Sequence, residues 1–264
     1  MRTLGDVFVV APLREQSGVA HAITFMVPLQ VRTVYVNGVP WAWAVDGTPA
    51  DCVKVAIASI LEEPPDLIVS GINGGHNAGI NVYYSGTVGA AAEGAFYGIT
   101  SVAVSLQHHE NAPYDQAADI AVDIIRKILS QNRKQNNLPG QLYNINIPLK
   151  ALKNDAPEVK IVPVDQSHYW ESYERRTDTM NRPYHWLSGR PDPRQPKHDA
   201  PEYLTDFTAF SEGYITVTPL KYDVTDRQRL QEMSGWDLNP VQCSESDAEY
   251  NAAHTGPKVR VSWR

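Results

Sequence analysis

Cysteine is scarce: two residues, Cys52 and Cys243, in a chain of 264. One thiol in an apolar helical pattern and one in a polar tail make neither a disulfide framework nor a zinc site. Long apolar runs are missing as well. No stretch reaches the roughly 18 apolar residues that a spanning helix needs, and no signal peptide opens the chain. The expected setting is a soluble protein of a reducing compartment, the cytoplasm, without a membrane partner. Positive charge is in deficit, 23 Lys and Arg against 30 Asp and Glu, for a net charge of -7. That argues against a binder of nucleic-acid duplexes, which needs a basic stripe to neutralise phosphates. It leaves room for one small phosphate ligand held by local groups. No Gly-x-Ser-x-Gly elbow occurs, which disfavours a serine hydrolase. His21, His76, His108 and His109 keep no zinc spacing, although His76 sits inside a glycine-rich loop. No internal repeat is visible.

What is present is an ordinary globular composition, 42% hydrophobic and 20% charged, arranged as alternating strand and helix patterns. Residues 6–11 form a continuous apolar run ending at Pro12, the pattern of a strand buried on both faces. Segments 31–37 and 41–45 flank Asn37-Gly38, a good hairpin turn. Thr48-Pro49-Ala50-Asp51 reads as a helix start: a cap, a proline at the first helical position, and an acid at the positive end. Val53, Ala56, Ile57, Ile60 and Leu61 follow at helical spacing. Strands are expected at 66–70, 100–106, 142–147, 159–164 and 213–220. Helices are expected over about 86–97, 115–131 and 224–234. Such alternation predicts an α/β fold: a three-layer, Rossmann-like, mostly parallel sheet with helices on both sides. The character changes over 165–210, where aromatics mix with charges and a proline-rich stretch. That span reads as a protruding β-hairpin arm, between an α/β core at 1–164 and a strand and helix at 211–236. A polar tail covers 237–264.

Three loops carry the chemistry. Ser70-Gly71-Ile72-Asn73-Gly74-Gly75-His76-Asn77-Ala78-Gly79 directly follows an apolar strand, where ligands bind in open parallel sheets. Its glycines allow close backbone approach, and Asn73 and Asn77 offer amide oxygens and nitrogens. The glycine spacing is wrong for a dinucleotide fingerprint, and a tight surface turn would use the same residues. Tyr84-Ser85-Gly86-Thr87 opens the alanine-rich helix, so its free N–H groups make a phosphate cradle; plain N-capping is the alternative. Pro12-Leu13-Arg14-Glu15-Gln16-Ser17-Gly18 lies just past another strand, and there Ser17 could serve as an oxygen ligand.

Taken in order, these pieces resemble the survival protein SurE family of 5'-nucleotidases and acid phosphatases. The similarity runs from Val9–Pro12 and Gln16–Gly18, through Gly47–Cys52 and Asp66–Asn77, to Tyr84–Ala91 with Glu93-Gly94. Weaker matches lie at Arg176 to Trp186, Thr205-Asp206 and Glu212–Leu220. The resemblance implies hydrolysis of phosphate monoesters such as nucleoside 5'-monophosphates, with a divalent metal, magnesium or manganese. It implies Ser17 and Asn73 as metal ligands, with Asn77, Ser85, Gly86 and Thr87 beside the phosphate. It further implies two adjacent aspartates in an Asn-Asp-Asp-Gly turn after a first strand. The sequence contains no such turn, so the catalytic residues are left unknown. Leu4-Gly5-Asp6 reads as a helix end with too little chain before it, and a misplaced start downstream of the family's first strand is the expectation. Family members often carry a histidine shortly after the Pro-Leu-x-x-Asp segment; here Asp223 is followed by Val224-Thr225-Asp226-Arg227, so no histidine acid is carried over. A catalytically inactive family member that binds phosphate ligands or serves assembly is the alternative. A sugar- or nucleotide-binding protein without hydrolysis ranks third. A homodimer or homotetramer built through the arm is expected.

Overall fold

A computed structural model describes residues 1–134, 138–167, 171–191 and 203–239. The chain divides into two units, Met1–Tyr222 and Asp223–Arg264. In the first unit the strands are β1 (Val10–Pro12), β2 (Val31–Val36), β3 (Val39–Val45), β4 (Leu67–Gly74), β5 (Thr100–Leu106), β6 (Leu142–Ile147), β7 (Val159–Ile161), β8 (Glu171–Thr177), β9 (Pro183–Pro191) and β10 (Ile215–Leu220). Its α-helices are α1 (Pro49–Val55), continued by a π-helical turn at Ala56–Ile60, α2 (Asn81–Tyr84), α3 (Gly86–Phe96), α4 (Tyr114–Lys134) and α5 (Asp206–Glu212). The described part of the second unit holds α6 (Arg227–Met233), capped by Asp226.

Five strands form the main sheet in the order β4-β5-β6-β10-β7. β4, β5 and β6 run parallel, β10 is antiparallel to β6, and β7 is parallel to β10. A second sheet, β1-β3-β2, joins β1 to β3 in parallel and closes a β2–β3 hairpin. Asn37 and Gly38 both take positive φ, 52° and 77°, the geometry that lets a two-residue turn match strand twist. The expected strand over 6–11 is shorter and shifted, to Val10–Pro12, and Phe8 stands 59% exposed. Among the described residues β1 bonds only to β3, so a run that reads as doubly buried stands at a sheet edge. β7 likewise ends at Ile161 rather than 164.

The two faces of the main sheet differ in chemistry. On one face Val102, Val104, Leu106, Ile145, Ile147, Ile215 and Val217 pack against Ala117, Ala121, Ile124 and Ile125 of α4. The 3.6-residue period of α4 puts those side chains on one stripe, and each large aliphatic there contributes about 1.5–3 kcal/mol on burial. The other face meets α3, whose Val88, Ala91, Ala92 and Ala95 cover Ala103 and Leu142. Strand alternation places Ser105, Asn144, Asn146, Thr216 and Thr218 on this same face, all buried. Small residues let α3 lie close: a Cβ on Gly94 would come within 2.5 Å of Ile68 Cδ1 and Ser101 Oγ.

The arm expected at 165–210 contains the antiparallel pair β8–β9, with Tyr173, Trp186 and Leu187 exposed. Its residues 168–170 and 192–202 lie outside the described residues, as do Cys243 and residues 240–264 of the expected tail. Thr205 caps α5 through a capping box with Thr208, and Thr205 and Asp206 are buried. Among the described residues no helix is long and apolar enough to cross a membrane.

Candidate functional site

The glycine loop begins inside β4. Ser70 pairs with Ala103, but Asn73 pairs with Ser105, so the strand gains an extra residue at 71–72. Such bulges re-aim side chains at strand ends. Gly71 has φ +121°, and a Cβ there would sit 2.3 Å from the Val104 carbonyl oxygen. The Gly71–Ile72 peptide bond is cis. Gly75 then donates its N–H to the Leu106 carbonyl at 2.8 Å, which ties the loop to the carboxyl end of β5. Asn73 is half-buried, and its Nδ2 donates to the Gly75 carbonyl at 2.7 Å. The amide is thereby oriented, and Oδ1 is the atom it can offer to a ligand.

Asn77 is fixed from several sides and is 7% exposed. Its N–H donates to Asn146 Oδ1 at 2.7 Å, and its carbonyl accepts from Asn144 Nδ2 at 2.7 Å and Asn146 Nδ2 at 3.3 Å. Its Nδ2 donates to Ser105 Oγ at 2.7 Å. The Asn77 side chain thus points into the polar floor of the sheet, and one of its two amide N–H donors is taken up by Ser105.

α3 runs back along β4, with Gly94 against Ile68 near the start of that strand. Eight residues of helix cover about 12 Å at 1.5 Å per residue, so the N-terminus of α3 lies toward the end of β4 that carries Asn73. Ser85 caps α3 by accepting the Val88 N–H at 3.1 Å. Gly86 and Thr87 stand in the first turn, where backbone N–H groups have no intrahelical acceptor. The loop with Ser17 lies against this same turn. A Cβ on Gly86 would meet Val19 Cγ2 at 2.9 Å, Pro49 Cγ at 3.1 Å and the Gln16 carbonyl oxygen at 3.4 Å. Ala20 N–H donates to the Tyr84 carbonyl at 2.9 Å. Ser17 itself is exposed. The six residues chosen from the sequence therefore fall in two groups, the Ser17 loop with Ser85–Thr87 and, on the loop after β4, Asn73 with Asn77.

Three buried acids support these groups. Glu93, with its side chain 6% exposed, binds His21 Nε2 at 2.7 Å and Lys54 Nζ at 2.9 Å. It pins the Ser17 loop and α1 to α3. Asp51 accepts Thr24 N–H at 2.9 Å, Thr24 Oγ1 at 2.6 Å and Thr48 N–H at 2.8 Å. Burial pushes its carboxyl up, but the bonds from Thr24 and Thr48 outweigh that and hold it below the ordinary value. Asp206 accepts the Gly79 N–H at the far end of the loop; burial raises its pKa against bonds from Asp165, Gly79 and Phe207 N–H groups. His76 packs on the Phe210 and Phe207 rings at 4.9 and 6.0 Å, and burial lowers its pKa, which favours the neutral ring. Glu93 and Asp206 stand in the sequence only as parts of matching stretches, without a role, and Asp165 and the Ser105-Asn144-Asn146 floor are not among the residues singled out. The alternation of Asn144 and Asn146 with apolar neighbours was a signal, but it resembles that of a strand with one wet face.

The free N–H groups at the start of α3 suit an anion, while the carboxylates that a cation site needs are missing from this set. Ser17 and Asn73 supply neutral oxygens, and among the described residues no group of three or more His, Cys, Asp or Glu side chains could hold a metal ion. A hard dication prefers carboxylates, so the described residues alone do not fit one.

The family model for survival protein SurE matches residues 1–171. A protein named 5'-nucleotidase SurE from Rhodopirellula baltica is 47% identical over 242 residues, which cover 91% of each chain. Its namesake from Desulforamulus reducens is 39% identical over 232 residues, 88% of this chain and 87% of that one. The crystal structure of the SurE protein from Aquifex aeolicus is 35% identical, with a TM-score of 0.69, over 88% of this chain and 89% of that chain.

Proposed function

The chain belongs to the survival protein SurE family, and on that premise we propose that it hydrolyses nucleoside 5'-monophosphates to nucleoside and phosphate, as a 5'-nucleotidase. What supports the reading is the Ser85-capped start of α3, packed against the loop of Ser17 and following in sequence the β4 loop that carries Asn73. In this reading the Gly86 and Thr87 N–H groups and the Thr87 hydroxyl receive the phosphoryl oxygens. The positive end of the helix favours the charge that builds there as the ester bond breaks. Asn77 keeps the loop in place from below, and Asn73 Oδ1 and the Ser17 hydroxyl complete the oxygen set. Water attacks phosphorus, the bond to the 5'-oxygen breaks, and the leaving alkoxide takes a proton.

Metal dependence belongs to the proposal as well. Magnesium or manganese would neutralise phosphoryl charge, with Ser17 and Asn73 as two of its ligands. Those two oxygens are neutral, and a hard dication short of carboxylates is held weakly. The same scarcity favours a second reading, in which this chain holds a phosphate ligand without turning it over. Phosphate release from a panel of nucleoside monophosphates, with and without manganese, separates the two. Turnover well above the protein-free background, lost in Thr87→Ala, supports the first. Binding of nucleoside monophosphate with no release supports the second. For assembly we propose a homodimer or homotetramer that uses the exposed aromatics of β8–β9, tested by light scattering at micromolar concentration; a monomer would refute it.

A further inference from the structure

A pair of buried carboxylates lies beside the glycine loop and outside the set offered to phosphate. Asp206 has no exposed surface. It accepts the Gly79 N–H at 3.1 and 3.0 Å through its two oxygens, and the Asp165 N–H at 2.8 Å. Its own N–H donates to the Pro163 carbonyl at 2.9 Å. Asp165, 7% exposed, accepts the Thr205 hydroxyl at 2.6 Å and the Ser167 N–H at 2.7 Å. A Cβ on Gly79, whose φ is +57°, would rest 3.4 Å from Asp165 Cβ.

Helix capping does not explain this arrangement, because Thr205 already caps α5. Nor does an ion pair: among the described residues neither acid has a Lys or Arg partner. A buried acid without a counter-charge is costly unless N–H and O–H groups meet its lone pairs. Here those donors come from three separate places in the chain. Gly79 belongs to the loop, Asp165 and Ser167 precede β8, and Thr205 follows β9. The two segments that flank the β8–β9 hairpin are tied to each other and to the loop at one point.

We propose that Asp206 and Asp165 are positioning residues, a buried clamp that couples the segments flanking the β8–β9 hairpin to the loop carrying Asn73 and Asn77. The inference rests on the reading of that loop as part of a phosphate site. Coupling is reciprocal, so phosphate bound at the start of α3 and against this loop steadies the hairpin flanks, and the flanks set how firmly phosphate is held.

Amide hydrogen exchange on the whole chain, with and without inorganic phosphate, tests this in wild type, Asp206→Asn and Asp165→Asn. Without phosphate, Asp206→Asn is expected to speed exchange at residues 77–81 about tenfold or more, while β5 and β6 keep their protection. Phosphate is expected to slow exchange at 165–167 and 205–208 in wild type but not in Asp206→Asn, whose phosphate affinity falls about tenfold. Asp165→Asn, which keeps the Gly79–Asp206 bonds, is expected to lose the phosphate effect at 205–208 and serves if Asp206→Asn does not fold. Unchanged exchange at 77–81 in Asp206→Asn, or an equal rise throughout β5 and β6, overturns the clamp. So does phosphate protection of the loop that leaves the flanks unaltered. If phosphate fails to bind wild type, the site reading fails, and the clamp stands or falls on the phosphate-free exchange.

Discussion

At Gly71 the backbone has no room for any side chain. Positive φ and a 2.3 Å approach to Val104 act together, so Gly71→Ala is expected to cost at least about 2 kcal/mol. A lowered urea midpoint with an unchanged slope would show it; an unchanged midpoint would contradict it. His76 gives a pH signature. Burial lowers its folded-state pKa below the ordinary 6.5, so the folded chain prefers the neutral ring. Its stabilising contribution is complete above about pH 6.5 and declines as pH falls through that value toward the lower folded pKa. His76→Gln is expected to flatten stability between pH 7 and 5, measured by urea unfolding at several pH values. Cys52 is sequestered, its thiol pushed up to about 12 by burial and by the Asp51 charge. In a Cys243→Ser background it is expected to resist alkylation at pH 8 until the chain unfolds. The glycine loop was legible as a place where chemistry could occur, since glycine and asparagine after an apolar strand are local signals. The inward turn of Asn77 was not, because its partners Ser105, Asn144 and Asn146 come from two other strands. Asp206 was still harder to see: it meets Gly79 across 127 residues.

Elements with strong periodicity were the most readable. The α4 stripe from Ala117 to Leu129 joins the core as expected, and β5 and β6 match their expected bounds. The start of α1 was readable because its cap is written in adjacent residues; Thr48 and Asp51 form the reciprocal capping box. The Thr48 hydroxyl also donates to the Ala22 carbonyl at 2.7 Å, so it holds the loop after Ser17 as well as the helix. Thr48→Ala is expected to cost about 1–2 kcal/mol, visible in thermal unfolding, and to loosen residues 20–24 in hydrogen exchange. The bulge in β4 was not readable, since register is decided by the neighbouring strand. For α3 the critical feature is the space around Gly86. Gly86→Ala would press a methyl on Val19 and Pro49 and push the Ser17 loop away from the helix start. Phosphate affinity is expected to fall about tenfold with α3 still formed, checked by calorimetry beside circular dichroism; unchanged affinity would show that the loop's closeness to α3 does not matter.

Across the whole molecule, an α/β fold with a mostly parallel main sheet was legible from the order of strands and helices. The antiparallel placement of β10 and the joining of β1 to the β2–β3 hairpin in a separate sheet were not, because strand order depends on contacts far apart in sequence. Charge decides what the site can hold. Ser17 and Asn73 are neutral, and no Asp-Asp pair occurs in the sequence. Manganese is therefore expected to bind this chain weakly, with a Kd above about 1 mM; a micromolar Kd by titration calorimetry would reveal carboxylate ligands outside the set described. Phosphate, by contrast, finds free N–H groups and a helix terminus. The most direct measurement is a crystal structure of this chain grown with inorganic phosphate. The expected result is phosphate within hydrogen-bond distance of the Gly86 and Thr87 N–H groups, with Asn73 Oδ1 and the Ser17 hydroxyl facing the same cleft. Phosphate bound elsewhere, or Ser17 and Asn73 turned toward separate surfaces, would contradict it.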